Sequence, residues 1–568
     1  HRAGFVTLMA ELMRATYQNF GRMLPVVSIV LFTVVFALFR RLTPAVVCMT
    51  VAGIAGVWTM GFATLLDRHI SVFTSAVPAI VLTVAFSDIV HLWSAFQSEL
   101  ANGRDREDAV MASAMEVGRA CMFTSATTGL GFLAMALVPT PMFRLLGVVL
   151  SFGVAVSLLL AMTLVPLLLV RTGPRAVTTR QAGWTQQRVS ALLGLCHHWS
   201  SAHPRRVVST FAVLLGLVVW GSSQLVVETN FNARFDDDAQ LRQDQRWFES
   251  HFAGTSGFDL FVSTDGPDQA LSPDVIHGLS RWRDHVNSWP DVDRTQSLLD
   301  VFEPIHAELG QTGPLPSSQA ALSQYLLLFE LGGGEALDGL LDFERRTLRI
   351  HAQHSGHDLR RLRDVGDRAA AALQTELGTS ARVEVTGLRY LFGDWLDLIV
   401  TGQLRGFTGS CLLITLMMIW ALGSVRAGML SMVPNILPLL CLGAWCGLAW
   451  DQTDSDVFMI AMMAVGIGVD DTIHFLVRYR MERARSPDAA QALHRTFEYS
   501  GRAIVMTTTI LVLGFLPFAT SDYFSTRMIG VLLPGVLLVA LISDVLLAPA
   551  LCRLGAFGFS GPVPERVP

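Results

Sequence analysis

The sequence predicts an α-helical polytopic membrane protein made of two parallel repeats, with a large polar α+β domain facing outward. Three observations carry the prediction. Eleven apolar runs approach or exceed bilayer length, the first five and last five of them align at one offset, and a polar insert interrupts the pattern at about 228–400. Composition agrees, since 51% hydrophobic residues and a mean hydropathy of +0.46 are too apolar for a soluble globule, while 16% charge requires mass in water.

The runs cover 24–39, 45–65, 72–96, 121–138, 143–170, 207–227, 407–425, 429–450, 456–477, 503–520 and 528–552. A helix rising ~1.5 Å per residue needs roughly 20 residues to cross the hydrocarbon. Arginines gather after alternate runs, at Arg40 and Arg41, at Arg104, Arg106 and Arg119, in the 171–206 linker, at Arg426, from Arg478 to Arg502 and at Arg553. The intervening loops carry Asp67-Arg68, Val138-Pro139-Thr140-Pro141, the acidic Asp451 to Asp456 and Ser521-Asp522. The positive-inside rule makes the first set cytoplasmic and turns the second set, and the polar insert, outward.

Sliding the chain against itself by 383 positions pairs Asp88 with Asp471, His91 with His474, Gly118-Arg119 with Gly501-Arg502 and Thr124 with Thr507. It also pairs Gly131-Phe132 with Gly514-Phe515, Gly147 with Gly530 and Pro166 with Pro549, and lays 5–20 on 388–403. Halves of like orientation define a parallel repeat about an axis along the membrane normal, an arrangement transporters use. The second half opens with a span (207–227) and the outward domain, whereas the first shows only its five spans. A first span and first outward domain are therefore expected ahead of His1, for twelve spans in all; a native eleven-span protein is the alternative. The chain starts with neither an initiator Met nor a signal peptide. The expected division is 1–23, the end of that first outward domain and a lead-in helix; 24–170, the first five spans; 171–206, a cytoplasmic linker; 207–227, the seventh span; 228–400, the outward domain; 401–553, the second five spans; and 554–568, a cytoplasmic tail.

The outward domain reads as two βαβ-like units. In the first, 259–264 is a strand, Ser272 caps a helix with Pro273 in its first turn, and 292–297 is the next strand. In the second, 347–353 alternates with Leu348, Ile350 and Ala352 on one face, 357–377 is helical and 382–386 is a strand. The stretch between, 301–340, holds Pro314 to Pro316 and Gly332-Gly333-Gly334, and is expected to be a mobile flap. The linker at 178–205, with Trp184, Trp199, Leu192, Leu193 and Leu195, is expected to lie along the cytoplasmic surface.

Several function classes fall away. No basic stripe interleaved with aromatics stands outside the span flanks, which removes nucleic acid as a partner. The cysteines (Cys48, Cys121, Cys196, Cys411, Cys441, Cys446 and Cys552) are scattered and show neither a disulfide framework nor metal spacing. No nucleophile–base pair, phosphate loop or zinc motif stands out, so no enzyme, cofactor or metal is expected. All basic residues are arginine, which excludes any mechanism requiring an intramembrane lysine.

The chemistry concentrates at Val465-Gly466-Ile467-Gly468-Val469-Asp470-Asp471-Thr472-Ile473-His474, inside an apolar run. A carboxylate at membrane depth costs a few kcal/mol even on lenient scales and is a functional site by default. His474 follows the pair by three and four residues, on the same helical face. Asp88 is the first-repeat acid, standing as Ser87-Asp88 against Asp470-Asp471, and Thr83 stands where the second repeat has Gly466. Asp88, Asp470 and Asp471 are expected to meet between the repeats and to titrate as a cluster; a structural carboxylate satisfied by hydroxyls is the bland reading. His91 and His474 are candidates for a proton relay, or for capping carbonyls at the headgroup level. Thr124, Thr127, Thr128, Thr507, Thr508 and Thr509 put hydroxyls on the following spans, to ligate the acids, to carry protons through water or simply to pack. Asp544, with no repeat mate, is expected to cap or snorkel at the cytoplasmic end.

Gly466-x-x-x-Asp470-Asp471 in an inferred tenth span, Gly501-Arg502 opening the next, and a βαββαβ-type insert ahead of the eighth together resemble the resistance-nodulation-division (RND) superfamily of transporters. Within it the chain is similar to the exporter branch of MMPL lipid exporters, hopanoid and bacterial sterol transporters, and more distantly to sterol-sensing proteins related to Patched. The resemblance implies export of hydrophobic molecules driven by proton entry through the fourth and tenth spans, with Gly466 and Gly468 as the structural part of the motif. Two departures disfavour tripartite drug efflux: the multidrug branch uses an intramembrane lysine that this chain lacks, and the insert is too short for that branch's docking subdomain.

The resulting expectation is proton-motive-force-driven export of a hopanoid, sterol or related lipid from a bacterial inner membrane, with the large domain in the periplasm, a periplasmic lipid carrier as a candidate partner and a homo-oligomer as a candidate assembly. The rivals are a sterol-sensing, receptor-like lipid binder without net transport, and a proton-driven accessory to protein translocation or small-molecule efflux.

Overall fold

A computed structural model describes residues 5–69, 72–174, 184–225, 240–333, 339–356, 358–449, 456–521 and 523–559. Gly334 of the expected hinge, the acidic loop 451–455, Asp522 and the end of the tail from 560 lie outside them. Among the described residues eleven helices are long and apolar enough to cross a membrane. The chain divides into two compact units, His1–Glu11 with Thr229–Leu398 and Leu12–Glu228 with Ile399–Pro568.

The first-half helices are α1 (Phe5–Phe39), α2 (Leu42–Leu66), α3 (Val72–Ala101), α4 (Arg106–Leu133) and α5 (Pro141–Thr172). Asp105 caps α4, its side chain accepting from the Asp108 amide at 2.8 Å, and Pro141 occupies the first turn of α5. The linker forms α6 (Trp184–Ala202), where Leu193 is buried against Gly501 while Leu195 and Trp199 stay exposed. The span α7 (Pro204–Ser222) follows.

The first of the two units contains α8 (Gln240–His251), β1 (Ser256–Ser263), α9 (Pro273–Val286), β2 (Arg294–Gln296), α10 (Leu299–Glu308), α11 (Gln319–Leu331), β3 (Thr347–His354), α12 (Leu359–Leu377) and β4 (Arg382–Thr386). The two expected units interleave rather than stand side by side. The sheet order is β2-β3-β1-β4 with every pairing antiparallel, so β1 and β2, the strands of the first βαβ, are separated by β3. That is the split βαβ arrangement. Alternation decides the buried face: Phe258, Leu260 and Val262 of β1 and Leu348, Ile350 and Ala352 of β3 point into a core shared with Trp282 of α9 and with Leu362, Val365, Ala369 and Leu373 of α12. On the other face Asp259 meets Arg349 at 3.0 Å and His351 at 2.9 Å; burial pulls its carboxyl upward, but the His351 hydrogen bond and these charges win and hold it below the usual range.

The expected flap at 301–340 is a correction. Most of it is helical, in α10 and α11, and Phe302, Leu322 and Leu326 are buried in the domain core. Tyr325 and His306 tie the two helices at 2.8 Å. Short apolar runs interrupted by Pro304 and Pro314 read as loop because neither is long enough to show a helical period.

The second half repeats the first: α13 (Leu388–Leu422), α14 (Val425–Ala449), α15 (Asp456–Arg485), α16 (Ala489–Thr496) running through a π-helical turn at Phe497–Gly501 into α17 (Arg502–Phe515), then α18 (Phe524–Ile542), a second π-helical turn at Ser543–Leu547, and α19 (Ala548–Arg553). The ends of α13 and α14 fall 383 positions after those of α1 and α2, at all four termini. The offset that aligns residues also aligns helix boundaries, which makes the repeat structural.

Candidate functional site

The helices α3 and α15 form the centre of the membrane unit, and both are buried on nearly all sides. They bring repeat mates into contact. Ser87 donates to Asp470 Oδ2 at 2.8 Å, and those two positions are 383 apart. His91 and His474, the next mates one turn along, stack with ring centroids 3.8 Å apart and planes 14° from parallel. The pseudo-twofold axis therefore passes between Ser87 and Asp470 and between the two imidazoles, and Asp470 is the single acid of that pair of positions.

Asp88 and Asp471 face their own halves instead. Ser125 of α4 donates to Asp88 Oδ2 at 2.7 Å, and its mate Thr508 of α17 donates to Asp471 Oδ2 at 2.5 Å, with Thr507 at 3.2 Å from Oδ1. One contact thus recurs in both repeats. Asp88, Asp470 and Asp471 are all buried. Ionised carboxylates so enclosed must be matched by donors or neutralised, and each here receives hydroxyl donors.

The threonines divide by geometry. Thr507 and Thr508 reach a carboxylate, while Thr124 and Thr127 bond backbone carbonyls at Cys121 and Thr124. Thr128 crosses between the repeats to the Gly466 carbonyl at 2.8 Å, and Thr509 bonds Val505 within its own helix. Residue type and spacing cannot separate these cases, since a hydroxyl's target depends on helix rotation. Gly466 packs tightly: a Cβ at Gly131 would lie 2.7 Å from the Gly466 Cα. The mates of that pair, Gly514 and Thr83, approach as closely, a Gly514 Cβ falling 2.6 Å from the Thr83 methyl. Gly468 differs, since a Cβ there would meet only Ala540 at 3.8 Å, an ordinary contact.

Asp544 does not cap or snorkel. It is 1% exposed, within the π-helical turn of the last span, and Thr472 lies 2.5 Å from its Oδ1. The same hydroxyl is 3.1 Å from Asn435 Oδ1, while the Asn435 amide donates to the Ser431 carbonyl at 2.7 Å. One hydroxyl proton cannot serve two oxygens, so the network is satisfied when Asp544 carries a proton of its own. Thr472 directly follows Asp471, and the network therefore adjoins the acidic pair. Lacking a mate, Asp544 was invisible to the repeat; a π turn at a buried acid is the local signal that marks it.

His91, Asp470 and His474 are the three-donor group, among the described residues, whose ligand atoms all lie within 4.8 Å of one another. Near-parallel rings aim their nitrogen lone pairs side by side rather than at a common tetrahedral centre. His474 Nε2 instead faces Asp470 Oδ1 at 3.4 Å, too close for a water between them and near enough for direct proton transfer after a small approach.

The family model for MMPL matches residues 3–206 and 342–566, most of the chain and both repeats. The chain belongs to the MMPL family. A hopanoid transporter of Rhodopseudomonas palustris is 27% identical over 187 residues, covering 33% of this chain and 21% of that protein. A mycolic acid-containing lipids exporter, MmpL11 of Mycolicibacterium smegmatis, is 22% identical over 558 residues, 94% of this chain and 54% of the exporter. The chain thus spans about half or less of the length of these relatives. Among solved structures the hedgehog release protein Disp of the water bear Hypsibius dujardini superposes with a TM-score of 0.64 at 13% identity, over 95% of this chain and 71% of that one, which shows a shared fold. This MMPL chain is a multi-pass membrane protein with two RND-type repeats, as the resemblance of its motifs implied.

Proposed function

We propose that the protein exports a hydrophobic lipid, of hopanoid, sterol or related type, from a bacterial inner membrane toward the periplasm or outer membrane, driven by proton entry. In this reading Asp88, Asp470 and Asp471 couple proton binding to movement of the repeats, Asp544 shares the load, and His91 and His474 relay protons to the arginine-rich side. The observation that carries it is the contact of mates on the pseudo-twofold, Ser87 with Asp470 and His91 with His474. A protonatable group on the axis senses any rocking of one repeat against the other. Charged, it needs its donors; neutral, it can slide past them.

The names of the relatives support a lipid substrate. Toward the helix ends away from Arg478, a small gap between the spans is lined by apolar side chains of Ile80, Leu146, Met459, Met463 and Ile529, together with Ser525 and Thr526. The domain at 228–400 would stand in the periplasm and hand lipid to a carrier, and a homo-oligomer would be formed by the full-length protein.

The test is proton uptake by proteoliposomes of the full-length protein under an imposed gradient, with and without a pentacyclic hopanoid alcohol in the bilayer. Lipid-dependent uptake in the parent and its loss in Asp470→Asn/Asp471→Asn is the expected result. Equal lipid binding by both forms with no proton movement in either would convert the reading to a lipid sensor.

A further inference from the structure

Four positions on α15 recur at every fourth residue: Asp470, His474, Arg478 and Glu482. They form one face, and their mates in α3 are Ser87, His91, Ala95 and Glu99. The column keeps its residue type in both repeats at the histidine and glutamate positions and changes it at Asp470 and at Arg478, whose mate has no charge and no reach. Arg478 fills that asymmetry. One guanidinium nitrogen pairs with Glu116 of α4, another with Glu482 at 2.9 Å, and the guanidinium carbon lies 4.1 Å from the centre of the Tyr499 ring. Glu116 and Tyr499 are themselves mates, 383 apart. A single arginine is thus clasped between equivalent positions of the two repeats.

Its surroundings fix it there. The Arg478 side chain is 11% exposed, and Glu482, 2% exposed, also lies near Arg485 at 3.4 Å and Arg495 at 3.8 Å. Tyr499 sits in the π-helical turn between α16 and α17, a distortion that the mate region of α4 lacks. Arg478 follows His474 by one helical turn, between the imidazole pair and the arginine-rich end of α15.

We propose that Arg478 is the seal of the proton path: a fixed cation, clasped by Glu116 and Tyr499, that bars protons from passing between the His91–His474 pair and the arginine-rich side until the repeats move. This rests on the proton-coupled reading above. A permanent positive charge in a narrow, weakly polarisable passage raises the energy of any second cation there, which is how arginines exclude protons from other membrane pores. Arginine suits the task because it does not give up its proton. The clasp also makes the seal conditional, since a rotation of one repeat against the other would carry Arg478, fixed on α15, away from Glu116 and α4.

The experiment measures internal pH in proteoliposomes of phosphatidylethanolamine and phosphatidylglycerol, with and without a hopanoid alcohol, under an inward proton gradient. For Arg478→Gln the expectation is lipid-independent proton entry raised by roughly tenfold or more over the parent, the effect of removing a barrier of a few RT. Arg478→Lys should stay sealed, and adding Asp470→Asn/Asp471→Asn to Arg478→Gln should abolish the leak. A tight Arg478→Gln protein that retains lipid-dependent entry would overturn the seal and leave the coupling reading standing. Absence of proton entry in the parent with lipid and in Arg478→Gln would overturn both. Should Arg478→Gln fail to fold, Arg478→Met keeps an apolar stem against Tyr499 and removes the charge. Its leak without lipid supports the seal, and its tightness overturns it.

Discussion

Asp544 and Asp470 show what single residues disclose and what they hide. The acidic pair was legible because a carboxylate inside an apolar run is costly enough to demand a reason. Its orientation was half legible, since the 383 offset named Ser87 and His91 as equivalent positions but not that each would touch its own mate. Ser125 as the partner of Asp88, and Asp544 as a neighbour of Asp471 through Thr472, depend on helix rotation and on a π turn, which no pattern along the chain reports. The Asp544 network makes a specific prediction. Asp544→Asn can hydrogen-bond Thr472 and keep the packing, so folding and lipid binding should survive. It cannot exchange a proton, so lipid-driven proton entry should fall on the order of 10²-fold, the low end for a positioned proton-transfer group. Unchanged entry in the folded variant would return Asp544 to a structural role.

At the scale of elements, the spans were read correctly because length and apolarity are sufficient evidence for them, whereas α10 and α11 were missed because both are short, α10 carries Pro304, and Pro314 stands between them. The close approach of α4 to α15 is set by backbone meeting backbone at Gly131 and Gly466. Both glycines belong to aligned motifs, yet alignment alone did not say that they face one another. Gly131→Ala would force its Cβ against the Gly466 Cα, and helix backbone cannot step aside as a flexible side chain does. The expected cost is about 1–3 kcal/mol, read as a lower midpoint of thermal unfolding in detergent. Gly468→Ala, with only an ordinary contact to Ala540, should change stability by no more than about 0.5 kcal/mol and leave the midpoint near that of the parent. Equal effects from the two substitutions would show that the glycine contact does not set this interface.

The whole molecule consists of two units with separate cores, and that separation makes a prediction about how the protein fails. The core of the α+β unit is built around Trp282, 1% exposed, whose indole donates to the Ala369 carbonyl at 2.9 Å and so joins α9 to α12 over the sheet. Trp282→Ala removes one of the largest buried side chains there, at a cost of about 3–5 kcal/mol, a large fraction of what a domain of this size possesses. None of those core residues belongs to the membrane unit. Trypsin should therefore cut at the arginines of α9 and α12 in the variant while the spans persist as protected fragments. Under the proposed export, in which lipid passes through this domain, lipid-dependent proton entry should be lost. The lipid-independent leak of Arg478→Gln should nevertheless survive in the Trp282→Ala/Arg478→Gln protein, since every residue of that path lies in the other unit. Spans that become protease-sensitive along with the domain would mean that the two units fold as one, and the loss of transport could then no longer be assigned to the α+β domain alone.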